Sequence, residues 1–462
     1  MVLPRAPHGD ARPDVRRAEG GLTMLLRLAL ALCLLAGPLS AAERLVPAEA
    51  GALKTAVAVA DPGDVLILAP GRHDGPLMLD RPLSLRGRAG AVIDGGGRGS
   101  VITVTAPDVT LAGLEIVGSG SSHEEIDSGI RLLKGGDRAL VEGNRLLGNL
   151  VGVDIHGAAD ATVRGNVIVG REDAHMPARG NGVYVWMAPG LVVEGNDISL
   201  GRDGIFVNVS ERNIFRNNTM RNLRFAIHYM YAHHSEVTGN VSIGNHLGYA
   251  LMYSHHLTVT DNLSLRDRDH GVMLNYVNNA EVARNLVRGG TGKCTFIYNA
   301  HRNVIHDNRF EGCAIGIHFT AGSEKNTLTG NAFIGNRTQV KHVSSRSVEW
   351  SHAGRGNFWS DHPAFDLNGD GIADATFRPN DLMDHILWSQ PAAALLVGSP
   401  AVQLIRWSQA SFPATLPGGV RDSHPLMTAI DIPVPDAAAR LEAAVPPWPQ
   451  GETSDADTLA GH

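Results

Sequence analysis

The sequence predicts a parallel β-helix, an all-β solenoid with coils of about 22–23 residues, and a C-terminal capping segment. Nine asparagines recur at gaps of 22, 30, 22, 22, 22, 23, 23 and 23 residues: Asn144, Asn166, Asn196, Asn218, Asn240, Asn262, Asn285, Asn308 and Asn331. Short alternating apolar runs between them predict strands. Pairs such as Gly143-Asn144 predict turns, because both residue types tolerate left-handed backbone angles. One such repeat cannot bury its apolar side chains, so the coils are expected to stack.

The N-terminus is predicted to be an export signal. Residues 1–23 are rich in Arg and Pro and precede a second methionine, so we interpret them as a mis-called start or an unstructured extension. Residues 24–42 combine a basic start, an apolar run and the exit Ser40-Ala41-Ala42, the pattern of a signal peptide. The alternative is a retained anchor, although the run is short for a membrane span. Secretion is therefore predicted.

The remaining chain divides into three predicted regions. Residues 43–350 form the β-helix, residues 351–431 form a cap rich in Trp, Asp and Pro, and residues 432–462 form a disordered tail. Insertions at 119–127 and 171–179 interrupt the repeat, and such insertions loop out from one face of a solenoid, often the working face. The cap would cover a strand edge that otherwise invites aggregation.

Charge and cysteine content narrow the class of protein. The net charge is −7, and removing the basic first 42 residues leaves about −9 for the rest, which disfavours nucleic-acid binding. Cys294 and Cys313 would remain after export, and an oxidising compartment would allow one disulfide. They stand 14 and 18 residues before their ladder asparagines, so they are not expected to stack directly. Inert thiols or soft metal ligands are the alternatives.

Counting back from each asparagine predicts which side chains enter the bore. The columns thirteen and eleven residues before it are apolar and are expected to point inward: Val153, Val183, Ile205, Ile227, Tyr249 and Val272, then Ile155, Val185, Val207, Tyr229, Leu251, Leu274 and Ile297. The columns twelve and ten before it should point outward. These outward columns are rich in Met, His and aromatic residues, which predicts an exposed stripe that contacts something.

This outward stripe predicts a copper site. His228, Met230, Met252 and Met273 fall on three neighbouring coils, and thioether plus imidazole ligands suit Cu(I) better than hard cations. His233, His255 and His301 form a weaker column of candidates. The alternatives are a stripe covered by a loop or a partner protein, or a stripe that stacks on sugars. The histidine column has its own alternative, in which the imidazoles hydrogen-bond to the backbone.

A second metal site is predicted in the cap. Asp366, Asn368, Asp370 and Asp374 occupy positions 1, 3, 5 and 9 of a loop with Gly371 at the sixth, which matches the first part of a calcium loop. The twelfth position lacks the usual Glu. The prediction is structural calcium, and the alternative is a turn held together by its own Asp and Asn side chains.

Several motifs together resemble the NosD family over about residues 45–433. They are the coils, Asn-Phe-Trp-Ser-Asp at 357–361, the loop at 366–374, and Asp-Ser-His-Pro-Leu-Met at 422–427. The resemblance implies a right-handed parallel β-helix and a non-enzymatic, periplasmic role in maturation of nitrous oxide reductase. It also implies work at the inner membrane with the ABC transporter of NosF and NosY, and with the copper lipoprotein NosL. The chain would then be a scaffold that handles copper or holds the client reductase.

The competing prediction is a polysaccharide lyase or epimerase. Such an enzyme needs a base, an acid and charge-neutralising groups together in a groove. Asp267-Arg268-Asp269-His270 is the best candidate for that set. Acidic and basic residues alternating at a turn are ordinarily a solvated surface, and that is the alternative expected for this segment.

Overall fold

The structure is a computed structural model that describes residues 42–172, 175–320, 322–342, 347–380, 384, 386, 390–396, 399–411 and 418–446. The described chain from Glu43 onward forms one compact unit. The predicted signal peptide lies outside the described residues apart from Ala42. A search of the described helices for one long and apolar enough to cross a membrane finds none.

Three parallel sheets run the length of a β-solenoid, and each coil contributes one strand to each sheet in the order A, B, C. Sheet A contains β1 Glu43–Val46, β2 Val65–Leu68, β5 Ser84–Gly87, β8 Thr110–Ala112, β11 Leu140–Glu142, β14 Thr162–Arg164, β17 Val192–Glu194, β20 Ile214–Arg216, β23 Glu236–Thr238, β26 Thr258–Thr260, β29 Glu281–Ala283, β32 Val304–His306 and β35 Thr327–Thr329. Sheet B contains β3 Gly71–Asp74, β6 Ala91–Asp94, β9 Glu115–Val117, β12 Arg145–Leu147, β15 Val167–Val169, β18 Asp197–Ser199, β21 Thr219–Arg221, β24 Val241–Ile243, β27 Leu263–Leu265, β30 Leu286–Arg288, β33 Arg309–Glu311, β36 Ala332–Ile334 and β39 Phe358–Trp359. Sheet C contains β4 Leu77–Leu79, β7 Ile102–Val104, β10 Ser128–Leu133, β13 Val151–His156, β16 Val183–Trp186, β19 Asp203–Glu211, β22 Phe225–His233, β25 Leu247–Met252, β28 His270–Asn275, β31 Lys293–Tyr298, β34 Ile315–Phe319 and β37 Thr338–Lys341.

The remaining elements lie outside the three long sheets. Strand β38 (Ser347–Glu349) pairs with β40 (Gly419–Arg421) in a separate two-stranded sheet. The α-helices are α1 (Ala52–Val59), α2 (Pro400–Ser411) and α3 (Asp436–Ala443), and 3₁₀-helices span Met176–Ala178 and Pro391–Leu396. Helix α1 buries Leu53 and Val57 against the core at the first coils.

The predicted register is confirmed. Val153, Val183, Ile205, Ile227, Tyr249 and Val272 pair in sequence across sheet C, and all are buried in the main core. The second inward column, from Ile155 to Ile297, is buried in the same core. Equal offsets from the asparagines therefore correspond to neighbours in space, because parallel strands pair without slippage along the axis.

The asparagines form the predicted ladder inside the wall of the solenoid. From Asn166 onward, each side-chain Oδ1 accepts the backbone N–H of the asparagine one coil earlier, as Asn262 does from Asn240 (3.0 Å). The residue before every ladder asparagine has a positive φ. The angle is 61° at Gly143, before the first ladder asparagine, and 70° at Gly330, before the last. The ladder continues beyond the regular coils, because Asn331 donates to Asn357 in the cap. The ladder thus fixes the same turn in every coil.

The cap closes the last coil through aromatic stacking and one buried carboxylate. Trp359 stacks on Phe333 with ring centroids 4.5 Å apart, and Trp350 is fully buried beside them. Asp422 accepts hydrogen bonds from the backbone N–H of Asn357 (2.7 Å) and the indole N–H of Trp359 (2.8 Å). In sheet B, cap strand β39 therefore pairs with the strand edge that β36 of the last coil would otherwise expose.

The expectation of a disordered tail needs correction. Residues 432–462 were predicted to be disordered, but α3 packs against sheet B, where Ala438 is buried with Leu263 and Leu286. Glu442 also forms an ion pair with Arg288. The sequence signal failed because the helix is stabilised by burying an apolar face on the solenoid and not by its own propensity. Residues 447–462 lie outside the described residues.

The cysteines form a disulfide rather than free thiols or metal ligands. Cys294 lies on β31 opposite Gly316, and Cys313 lies three residues before that glycine, at the corner between sheets B and C. They do not stack in register, as predicted, but the corner brings their Cα atoms to 5.6 Å. That separation lies within the usual range for a disulfide.

Candidate functional site on the outer face of sheet C

The middle strands of sheet C carry an apolar cluster on their outer face. We call this cluster the outer patch, and it consists of Phe225, Leu247, Ala250, Met252, Met273 and Phe296, with Tyr253 and Tyr298 at its margin. It was expected to be an exposed stripe, but Met252 and Met273 are only 8% and 6% exposed. Strands about 4.8 Å apart bring large side chains on neighbouring coils into contact, so the side chains of the outer patch cover one another.

The structure brings the four predicted copper ligands onto three consecutive strands. His228 pairs with Ala250, which pairs with Met273, and these three residues form one outward column. Met230 pairs with Met252 in the next outward column. The two columns are two residues apart along the strand and lie on the same face of the sheet. One imidazole and three thioethers therefore lie on one face of three consecutive strands.

A buried carboxylate orients His228. Its Nδ1 donates to Oδ2 of Asp203 at 3.1 Å, and Asp203 is also held by Arg224 at 2.8 and 2.6 Å. Burial would raise the pKa of the Asp203 carboxyl, but the hydrogen bonds from His228 and Arg224 lower it below its usual value. In the neutral imidazole, a hydrogen bond to this carboxylate holds the proton on Nδ1 and places the lone pair on Nε2.

Sequence reasoning missed both Asp203 and Arg224. The strict two-residue alternation ends at the corner before each strand of sheet C, where Phe225 faces the outer patch while Ala226 and Ile227 both face the core. The Arg224 guanidinium also lies 4.3 Å from the centre of the Phe225 ring. The pairing of residues one coil apart could have revealed them. Asp203 on β19 pairs with Phe225 on β22, and Arg224 directly precedes Phe225.

The outer patch suits a soft cation. Thioethers and neutral imidazole are the ligand types that favour Cu(I), and Asp203 is already neutralised by Arg224. Among the residues that the structure describes, no group of three or more His, Cys, Asp or Glu is arranged to hold a metal ion. The methionine-rich outer patch thus differs from a site for zinc or a hard cation, which such groups typically bind.

The second histidine column is only partly assembled. His233 and His255 stack with ring centroids 3.6 Å apart, and His234 and His256 stack beside them at 4.7 Å. Burial, and then the neighbouring imidazoles, lower the pKa of His233. His301 lies apart, because Asn278 intervenes. The ring of His301 accepts the backbone N–H of Glu324 at 3.1 Å, which is the backbone role given above as the alternative.

The loop at 366–374 is built as a set of turns closed by its own side chains. Asp366 accepts the backbone N–H groups of Gly369 and Gly371, and Asp370 accepts that of Ile372. Asn368 accepts from Asp370, and Asp374 accepts from Leu367. The hydrogen bond from Gly371 is the main cause that lowers the pKa of Asp366. Calcium binding by this loop stays a prediction.

The segment 267–270 does not form a solvated surface, nor an accessible acid–base group. Asp267 is buried, and its carboxylate accepts the hydroxyls of Ser242 and Ser264 at 2.6 Å each and the backbone N–H of Asn245. Burial raises the pKa of Asp267 to about 6. Asp269 is also buried and pairs with Arg268. The expectation of a solvated turn is wrong, because these side chains close a corner of the coil. Asp267 is enclosed and cannot contact a polymer.

Comparison with known proteins identifies relatives along most of the chain. A family model described as "Periplasmic copper-binding protein (NosD)" matches residues 168–364. A protein of Pseudomonas aeruginosa named "Probable ABC transporter binding protein NosD" is 41% identical over 373 residues, which cover 78% of this chain and 87% of the relative. A protein of the same name from Stutzerimonas stutzeri is 40% identical over 374 residues, covering 78% and 86%. Among solved structures, the chain is similar to the Streptococcus pneumoniae adhesin PfbA, with a TM-score of 0.48, 10% identity, and coverage of 63% and 94%. On the strength of the two curated relatives, which align over most of both chains, this β-solenoid belongs to the NosD family.

Proposed function

We propose that this chain is a periplasmic, non-enzymatic accessory protein that works with an ABC transporter in assembling the copper centres of nitrous oxide reductase. The family description and the names of the relatives support copper binding and a transporter partner. The transporter subunits NosF and NosY, the lipoprotein NosL and the reductase are the proposed partners. Association with the inner membrane would follow from the transporter.

We propose that Cu(I) is the cargo and that it binds at His228, Met230, Met252 and Met273. The observation that carries this proposal is that His228, oriented by buried Asp203, shares one face of three consecutive strands with Met230, Met252 and Met273. All four ligands are uncharged, so the bound ion keeps its positive charge. A neutral ligand set in a mostly apolar surface holds Cu(I) by ligand softness and not by charge, which suits a carrier that must release its cargo.

The test is a competition titration of the mature protein with a chromogenic Cu(I) chelator, without oxygen and with ascorbate as the reductant. A thiol reductant is avoided because reduced Cys294 and Cys313 would add ligands. Met230→Leu, Met252→Leu and His228→Gln should each weaken Cu(I) binding by about tenfold or more. Met78→Leu is the matched control, because Met78 is an exposed methionine on distant β4.

A second variant tests the orientation of His228. Asp203→Asn keeps the shape but removes the charge that holds the proton on Nδ1, so we expect about a tenfold loss of affinity. Nitrogen-15 NMR of the metal-free variant should show the His228 tautomer shifting. Wild-type Cu(I) affinity in all of the ligand variants would show that these residues do not bind the copper ion.

A further inference from the structure

The outward column of sheet C that contains His228 and Met273 changes in size at one coil. From β10 to β37 its members pair in order: Arg131, Asp154, Tyr184, Phe206, His228, Ala250, Met273, Phe296, His318 and Lys341. Among these described residues Ala250 is the single small one. It stands directly between His228 and Met273, which are two of the proposed copper ligands.

Large neighbours in this column contact each other on consecutive coils. Tyr184 stacks on Phe206 with ring centroids 5.4 Å apart, and Phe206 lies against His228 at 4.7 Å. A large apolar side chain at position 250 would continue this series and bury more apolar surface. Ala250 therefore forgoes packing at the one coil that separates the imidazole from the Met273 thioether.

The distance between His228 and Met273 gives the size of residue 250 its importance. Their backbones lie two strand spacings apart, about 9.6 Å. Bonds from a metal ion to nitrogen and sulfur are about 2.0–2.3 Å long in zinc sites and similar for Cu(I), so two donors of one ion are at most about 4.5 Å apart. The imidazole and the thioether must therefore approach each other over residue 250. A long side chain there would stand between the two donor atoms.

The His228 ring is held in place, so Met273 is the ligand that adjusts. Nδ1 is bonded to Asp203 at 3.1 Å, and the rings of Phe206 and Phe225 lie 4.7 and 5.1 Å from the imidazole centre. Methionine is unbranched and rotates about three side-chain bonds. The thioether can therefore turn toward the fixed imidazole when the residue between them is small.

The burial of this part of the outer patch fits an enclosed ion with one accessible side. Ala250 has no exposed surface, so neighbouring side chains extend over it. His228, Met252 and Met273 are 9%, 8% and 6% exposed, whereas Met230 is only partly buried. An ion can thus reach the ligands beside Met230 and be shielded from water over Ala250.

We propose that Ala250 is a specificity-determining residue of the copper site, because its small side chain lets His228 and Met273 close on one Cu(I) ion. This inference rests on the proposed function. It adds a residue that supplies no ligand atom but decides whether two of the ligands can share the ion.

The test is a size series at position 250, measured by the same Cu(I) competition titration of the mature protein. Ala250→Val and Ala250→Leu should weaken Cu(I) binding by at least about tenfold, whereas Ala250→Gly should stay within about threefold of wild type. Thr103→Leu is the matched control, because it enlarges a side chain of the same column on distant β7. Thermal unfolding of each metal-free variant establishes that it is folded, and the smaller valine carries the test if the leucine variant does not fold.

X-ray absorption at copper supplies a readout that a loss of stability would not change. In Ala250→Val and Ala250→Leu the copper ion should lose either its nitrogen or one sulfur from the coordination shell, while Thr103→Leu should keep the wild-type shell. An unchanged shell in the enlarged variants would overturn the inference.

Two titration results would also overturn it. One is wild-type Cu(I) affinity in the folded Val and Leu variants while His228→Gln and Met252→Leu are weakened, which leaves the copper site in place and removes only the role of Ala250. The other is an equal loss of affinity in Ala250→Gly and Ala250→Leu, which would show that size is not the cause. Failure of the copper site itself is recognised separately, by wild-type affinity in the ligand variants.

Discussion

Two buried carboxylates on the outer face of sheet C show how partners decide the chemistry of a single residue. Asp203 receives hydrogen bonds from Arg224 and His228, and its pKa is lowered despite burial. Burial raises the pKa of Asp154 to about 7, because the single nearby cation, Arg131, only partly offsets the loss of water. The same residue type on the same sheet is therefore a fixed anion in one place and a titrating group in the other.

The Asp154→Asn substitution should change how stability depends on pH. The folded pKa of about 7 lies above the unfolded value of about 4, so the wild type loses stability as pH rises between those values. Between pH 5 and pH 8 that loss amounts to about 2–3 kcal/mol, and Asn, which does not titrate, should abolish it. Urea unfolding of both proteins at the two pH values measures the difference. Parallel behaviour of wild type and variant would contradict the shift.

At the scale of the element, one asparagine serves three coils. Oδ1 of Asn262 accepts both the backbone N–H and the Nδ2 group of Asn240, and its Nδ2 donates to the backbone oxygen of Val237 (2.8 Å) and to Asn285 (2.9 Å). All of these atoms are buried in the wall of the solenoid. The repeated turn is thus held by side-chain amides that substitute for water inside the coil.

Asn262→Ala should be strongly destabilising, because it leaves Asn240 N–H and Val237 C=O without the side chain that bonds them. Each orphaned group costs about 1–3 kcal/mol, so we expect a loss of about 2 kcal/mol or more in the free energy of unfolding. Denaturant titration followed by tryptophan fluorescence is the measurement. Asn208→Ala, on the outer side of β19, is the control and should change stability by less than about 0.5 kcal/mol. A similar effect in both variants would show that the ladder is not the source of stability.

At the scale of the whole molecule, the solenoid needs a cover at its end. Every internal coil is covered by two neighbouring coils, whereas the last coil is covered by only one. The cap continues the asparagine ladder through Asn357 and stacks Trp359 on Phe333. Asp422 connects the chain beyond residue 418 to both of these residues. Asp422 therefore ties the end of the cap to the part of the cap that stacks on the last coil, and terminal capping is what keeps such arrays soluble.

Asp422→Ala should release the cap and promote association. It removes the acceptor of four donors, the backbone N–H and Nδ2 of Asn357, Trp359 Nε1–H and His424 N–H, at a cost of about 3 kcal/mol or more. The exposed edge of the last coil should then pair with other copies. Size-exclusion chromatography with light scattering would detect the oligomers. Asp80→Ala, an exposed carboxylate near the first coils, should stay monomeric like wild type; a monomeric Asp422→Ala protein would show that the cap is held by other contacts.

The sequence by itself determined the repeat, the inward columns and the ladder, and through them the neighbours of His228 among the methionines. It could do so because parallel strands stack in constant register. Residues at the same sequence offset from successive ladder asparagines are therefore neighbours in space. Only the tertiary structure decided that Asp203 orients His228, that Asp267 turns inward, that Cys294 reaches Cys313, and that α3 packs on sheet B. At the corners the two-residue alternation ends, and the direction of a side chain there depends on how coils and distant segments pack around it.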